Sequence, residues 1–191
     1  MKKVNSEDFE ADELLALARS SLEHNHVESA LAKLKKVIAM DDPPLEAIGL
    51  AARVYAQLRL FDRAEKLFRR YLELDPKAVL EHFQLGMTRF NVGKTDDALK
   101  VWDGLLKDRP EFPPAMFYRS LALARLGKKA EARNSLHQLL KSVEADNLYF
   151  GRAKELLQML EAGTPPQPGG NGETKELGRR VVPTDPYRAE H

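Results

Sequence analysis

The chain has 191 residues, 43% of them hydrophobic and 31% charged, with a formal net charge of +1. That balance argues against bulk electrostatic capture of nucleic acid or of an anionic membrane. Cysteine is absent, so disulfides, thiolate metal ligands and thiol nucleophiles are excluded.

Residues 1–10, MKKVNSEDFE, carry two lysines with no apolar run behind them. They are expected to form a flexible N-terminal segment and not a secretory signal. No apolar stretch approaches the length of a membrane-spanning helix. The expected compartment is the cytoplasm, without membrane insertion.

From residue 11 the chain repeats. Alanine stands at Ala30, Ala64, Ala98 and Ala132, each 34 residues after the last. Four residues beyond each alanine comes a bulky apolar group: Leu34, Phe68, Trp102, Leu136. Twelve beyond it stand Asp42, Pro76, Pro110 and Glu144. A constant period with a constant size pattern denotes stacked supersecondary units.

Numbered from 1 to 34, the units are 11–44, 45–78, 79–112 and 113–146. Each reads as two helices around a turn at position 15, held by Asn25, Arg59, Gly93 and Gly127. Asn and Gly enter the left-handed conformation that ends helices easily, and Arg59 should carry a backbone cost there. Pro76 and Pro110 are expected to start the next helix. Position 8 holds Ala18, Ala52, Gly86 and Ser120, opposite the alanine at position 20. Small side chains at both places let antiparallel helices approach closely.

A small residue at 8, alanine at 20, a bulky apolar residue at 24 and proline at 32 resemble the tetratricopeptide repeat (TPR). The resemblance covers about residues 11–144 in four tandem copies. It implies an all-α fold: a right-handed superhelical α-solenoid with a C-terminal extra helix. Departures from the family pattern include His82 in the first-helix tryptophan position, Tyr71 at position 27 and Arg119 at position 7.

Residues 147–162 continue the phase as a ninth, capping helix. Its apolar arc, from Leu148 through Met159, Leu156, Tyr149, Leu160, Ala153 and Leu157 to Phe150, spans about 200° at 100° per residue, more than one-sided packing uses. The tail, a second copy or a partner is expected to cover it. Residues 163–191, rich in Pro and Gly, read as disordered, with one apolar cluster at Val181–Pro183 and Tyr187. Such a tail could reach the groove and compete with a partner.

Catalytic, cofactor and metal sites are not expected. His24 and His26 flank a turn without further ligands at a supporting spacing. Asp41–Asp42 and Asp96–Asp97 suit helix starts. Phosphate-loop and nucleophile-elbow motifs are missing, so the chain reads as no enzyme.

In the TPR fold the first helices line a concave groove, so the resemblance assigns positions 2, 5, 9 and 12 to a ligand. In repeats one and two this stripe contains Leu15, Arg19 and Arg53. In repeats three and four it contains Leu80, Phe83, Met87, Phe90, Phe117 and Leu121. The expected groove is polar at its N-terminal end and apolar at its C-terminal end. The family's carboxylate clamp needs lysine and asparagine where repeat one has Leu15 and Arg19, so that mode is not matched.

The expected function is a non-catalytic interaction adaptor or assembly chaperone. Its partner would be a protein or peptide segment, apolar or amphipathic, with an acidic flank for Arg19 and Arg53. The alternative is a scaffold subunit that homodimerises through Leu148, Tyr149, Leu156 and Met159. Lys33, Lys35, Lys36, Arg63, Lys66, Arg69 and Arg70 on the second helices read as a solvated face, with an acidic partner as the minority reading.

Overall fold

The structure is a computed structural model that describes residues 6–163. The expectations for residues 1–5 and for most of the tail, including Val181–Pro183 and Tyr187, lie outside the described residues. Among those described, the fold is all-α. The helices are α1 (Ser6–Glu23), α2 (Val27–Ile38), α3 (Leu45–Gln57), α4 (Phe61–Leu74), α5 (Val79–Asn91), α6 (Thr95–Asp108), α7 (Pro113–Arg125), α8 (Lys129–Ser142) and α9 (Leu148–Glu161). Helix α1 takes in residues 6–10, ahead of the repeat frame.

The described chain divides into two compact units, residues 6–76 and 77–163. Unit 1 contains α1–α4. One core cluster is aliphatic: Leu15, Leu22, Leu34, Val37, Leu50 and Val54 close around Ala11, Ala18, Ala30, Ala47 and Ala51, while Ile48, Tyr55 and Phe68 are buried in its second repeat. Unit 2 contains α5–α9, with α7 packed against α5, α6, α8 and α9. Its core gathers Phe83, Phe90, Trp102, Phe112, Phe117 and Tyr118.

The turn inside each repeat closes alike. Asn25 (φ 60°), Arg59 (φ 58°), Gly93 (φ 82°) and Gly127 (φ 77°) all take the left-handed conformation. At Arg59 the amide donates to the Ala56 carbonyl, and the Leu60 amide reaches back to Tyr55. The other three turns repeat that pair of bonds, which satisfies carbonyls left open at a helix C-terminus. Arg59 therefore adopts a conformation in which its Cβ crowds the carbonyl.

Pro76 and Pro110 differ from expectation. Each follows the C-cap of the preceding helix, Asp75 or Arg109, and stands ahead of α5 or α7. They stop a helix, because proline lacks the amide that continuation needs. Pro113, in the first turn of α7, does start one.

The position-8 residues carry a size rule. A Cβ built on Gly86 would fall 2.1 Å from Trp102 Nε1. The indole N–H donates to the Phe83 carbonyl at 3.3 Å. Glycine thus faces the largest side chain at position 24, whereas Ala18, Ala52 and Ser120 go with Leu34, Phe68 and Leu136. The two positions share one fixed volume.

Position 8 of α9 departs from this size rule. That position in α9 is Lys154, exposed, with its ammonium 4.7 Å from the Phe150 ring centre. A lysine there blocks the close approach that a following second helix would make.

Candidate functional site

In unit 1 the sequence-derived stripe is mostly closed. Leu15 is buried in the aliphatic core, with Leu22 beside it. Arg19, exposed on α1, donates to the Glu46 carboxylate on α3. Arg53 is half-buried over Gly49, where an added Cβ would meet Tyr71 at 2.9 Å and Arg53 Nη1 at 3.3 Å. The missing side chain at Gly49 makes room for that ring and guanidinium. This face is polar, as the sequence suggests.

In unit 2 the expectation of an open apolar wall needs correction. Phe83, Met87, Phe90, Phe117 and Leu121 are only 4–8% exposed. Their rings turn into the seam between repeats. Phe83 lies 5.8 Å from Phe112 and 5.7 Å from Tyr118, and Phe117 lies 5.3 Å from Tyr118. These are ordinary aromatic packing distances. Phe90 packs 5.7 Å from Trp102 and is covered by the Arg125 guanidinium at 4.0 Å. The five residues are core first, with small patches at the surface.

The self-association surface changes too. Leu156 is buried with Ala153, Leu157 and Leu160. Tyr149 is half-buried, 5.8 Å from Phe117. Leu148 and Met159 are 58% and 41% exposed. They share a face, being eleven residues and hence about 20° apart on an ideal helix, but Arg152 and Glu155 stand between them. The wide arc of α9 is absorbed largely by unit 2 itself.

Of the stripe at positions 2, 5, 9 and 12, only position 2 stays accessible on α5 and α7. Leu80 and Pro114 are half-buried and Leu148 is exposed, one on each of α5, α7 and α9. Phe83 and Phe117 lie one turn further along their helices, at position 5. In α9 position 5 is Gly151, and a Cβ there would meet nothing within 4 Å. The row of rings gives way there to bare, exposed helix backbone, as α6 also shows at Gly104. The repeat frame itself marks this position, since Gly151 follows Phe117 by 34 residues.

Among the described residues no group of three or more His, Asp or Glu could hold a metal ion. No helix there is long and apolar enough to cross a membrane.

Three solved structures show how widely this arrangement occurs. MamA (residues 41 to end) from Desulfovibrio magneticus RS-1 is 16% identical with a TM-score of 0.68, over 90% of this chain and 93% of that one. YrrB, a TPR protein with an unusual peptide-binding site, is 18% identical with a TM-score of 0.68, over 76% and 74%. The first TPR of Spaghetti (RPAP3), bound to the HSP90 peptide SRMEEVD, is 17% identical with a TM-score of 0.56, over 62% and 94%. No curated protein sequence matches the chain. A tetratricopeptide repeat family model matches residues 15–79 and 83–147. With its recurrent helix–turn–helix units and small-to-large pairing, the chain belongs to the tetratricopeptide repeat family.

Proposed function

We propose that the protein is a non-catalytic interaction adaptor which holds an apolar or amphipathic segment of a client against unit 2. The segment lies across Leu80, Pro114 and Leu148 and approaches the α9 backbone at Gly151. The observation that carries this reading is the bare α9 backbone at exposed Gly151, in register with the first-helix rings and near exposed Leu148. A glycine inside a helix costs roughly 1 kcal/mol relative to alanine, and close approach of a ligand to backbone is one use for it. Two structural relatives, YrrB and the RPAP3 repeat, are peptide binders, which supports the same class of partner.

Arg19 enters this reading differently from the sequence expectation. Its engagement with Glu46 leaves it a weaker candidate for an acidic flank. Arg53 is retained as a polar contact of unit 1.

The test is peptide-library panning against the full chain, followed by calorimetry on recovered peptides. Enriched peptides should carry regularly spaced apolar side chains and bind with a Kd on the order of micromolar, about −8 kcal/mol. Gly151→Phe should cover that stretch of backbone and weaken binding at least about tenfold, or about 1.4 kcal/mol, with no loss of thermal stability. Affinity indifferent to Gly151→Phe and to Leu148→Ser sinks this site. Failure to enrich any peptide sinks the adaptor reading.

A further inference from the structure

Unit 1 offers a surface that the reading above does not use. We propose that the α3–α4 turn is a second docking edge, receiving an amphipathic segment that carries both apolar and acidic side chains. The comparison among the four turns motivates it. All four close with the same pair of backbone bonds, so an arginine is not needed to close this one. Where the others place Asn25, Gly93 and Gly127, this turn places Arg59 at φ 58°. A long side chain in the left-handed region is disfavoured, and strain of that kind persists where something else is gained.

The following residue departs as well. The N-cap of the second helix is His26, Lys94 or Lys128 in the other repeats and Leu60 here. Leu60 is 42% exposed. Leu58, equally exposed, has similar counterparts in Val92 and Leu126, so Arg59 and Leu60 are what set this turn apart.

The charges along the edge are held in place. The Arg59 guanidinium sits 5.9 Å from the Phe61 ring centre, and that of Arg63 5.6 Å from the Tyr55 ring centre. Contacts of this kind orient a cation without neutralising it. Exposed Lys66 follows at the next turn of α4. Asp62 lies in the first turn of α4, where it complements the helix dipole. Arg59, Arg63 and Lys66 thus share residues 58–66 with exposed Leu58 and Leu60, interspersed with Asp62 and half-buried Glu65, so the segment has one excess positive charge. Carboxylates interspersed with leucine-like groups complement this edge. A nucleic acid would match its charge but not its leucines.

The probe is a synthetic amphipathic helical peptide of leucine and glutamate, with a lysine-for-glutamate counterpart as control. Fluorescence anisotropy with the full chain should show the glutamate peptide binding at least about tenfold more tightly, with the preference shrinking as salt rises. Leu60→Ser and Arg59→Gly should each weaken it at least about fivefold. Arg59→Gly should at the same time raise the thermal midpoint, because glycine relieves the turn. A merely structural arginine would not couple higher stability to weaker binding. Equal affinity for both peptides overturns the proposal, as does unchanged binding in Arg59→Gly. Loss of binding in Gly151→Phe would place the peptide on unit 2 and also overturn it. So would binding of phosphatidylserine vesicles that the peptide fails to displace.

Discussion

Units 1 and 2 build the same repeat with different materials. Unit 1 fills its core mainly with aliphatic side chains, with Phe68 and Tyr55 its buried rings, and keeps a polar face on its first helices, joined by Arg19 and Glu46. Unit 2 fills its core with aromatic rings, and its first-helix rings turn inward to meet those of the next repeat. The backbone frame is shared; what differs is the side-chain volume each layer must accommodate. An apolar residue on a first helix can therefore be groove or core, depending on whether its neighbours leave a seam of matching size.

The largest break in this comparison should come from Trp102. It is fully buried and touches Phe83, Phe90 and Tyr118 at ring-centre distances of 5.7–6.4 Å. Trp102→Ala should destabilise the protein by about 3–5 kcal/mol, the range for large aromatic truncations. Leu34→Ala, at the same repeat position in unit 1, should cost about 2–5 kcal/mol and fall below it, since alanine-rich surroundings leave a smaller cavity. Urea unfolding followed by circular dichroism measures both. A larger loss at Leu34 would mean that aromatic size is not what holds unit 2 together.

Gly86 sharpens the same point. Because its added Cβ would collide with the indole, Gly86→Ala should cost about 1–3 kcal/mol despite alanine's better helix propensity. Pairing it with Trp102→Phe, the combination that repeat two already uses at Ala52 and Phe68, should cost less than the two single changes added together. A double-mutant cycle read by chemical denaturation tests this. Simple additivity would contradict the shared-volume rule.

Much of this architecture was legible in the sequence, and its gaps have physical causes. The period gave the helices, the turns and the left-handed Arg59, because backbone geometry depends on local residue type. The small residues at position 8 pointed to close helix approach. The groove was misjudged because spacing defines a helix face but not where a long side chain bends. Phe83 and Phe117 turn sideways only because Phe112 and Tyr118, from another part of the frame, supply the seam. Leu156 likewise looked available until α9 was seen packed on unit 2. Lys154 and Gly151 are readable in the same repeat frame, one as a departure from the size rule at position 8 and the other as a gap in the row of rings at position 5.

The smallest effect expected is at the polar face of unit 1. Both side chains of the Arg19–Glu46 pair are 47% exposed, so water and salt screen much of their attraction. Exposed pairs of this kind contribute about 0.2–1 kcal/mol. Arg19→Ala should therefore shift the urea midpoint only slightly, with a coupling to Glu46→Ala that fades as salt is raised. A coupling of several kcal/mol would mean that the pair organises α1 against α3 in the way that Trp102 organises unit 2. A weak coupling leaves the buried core of unit 1 to position those helices.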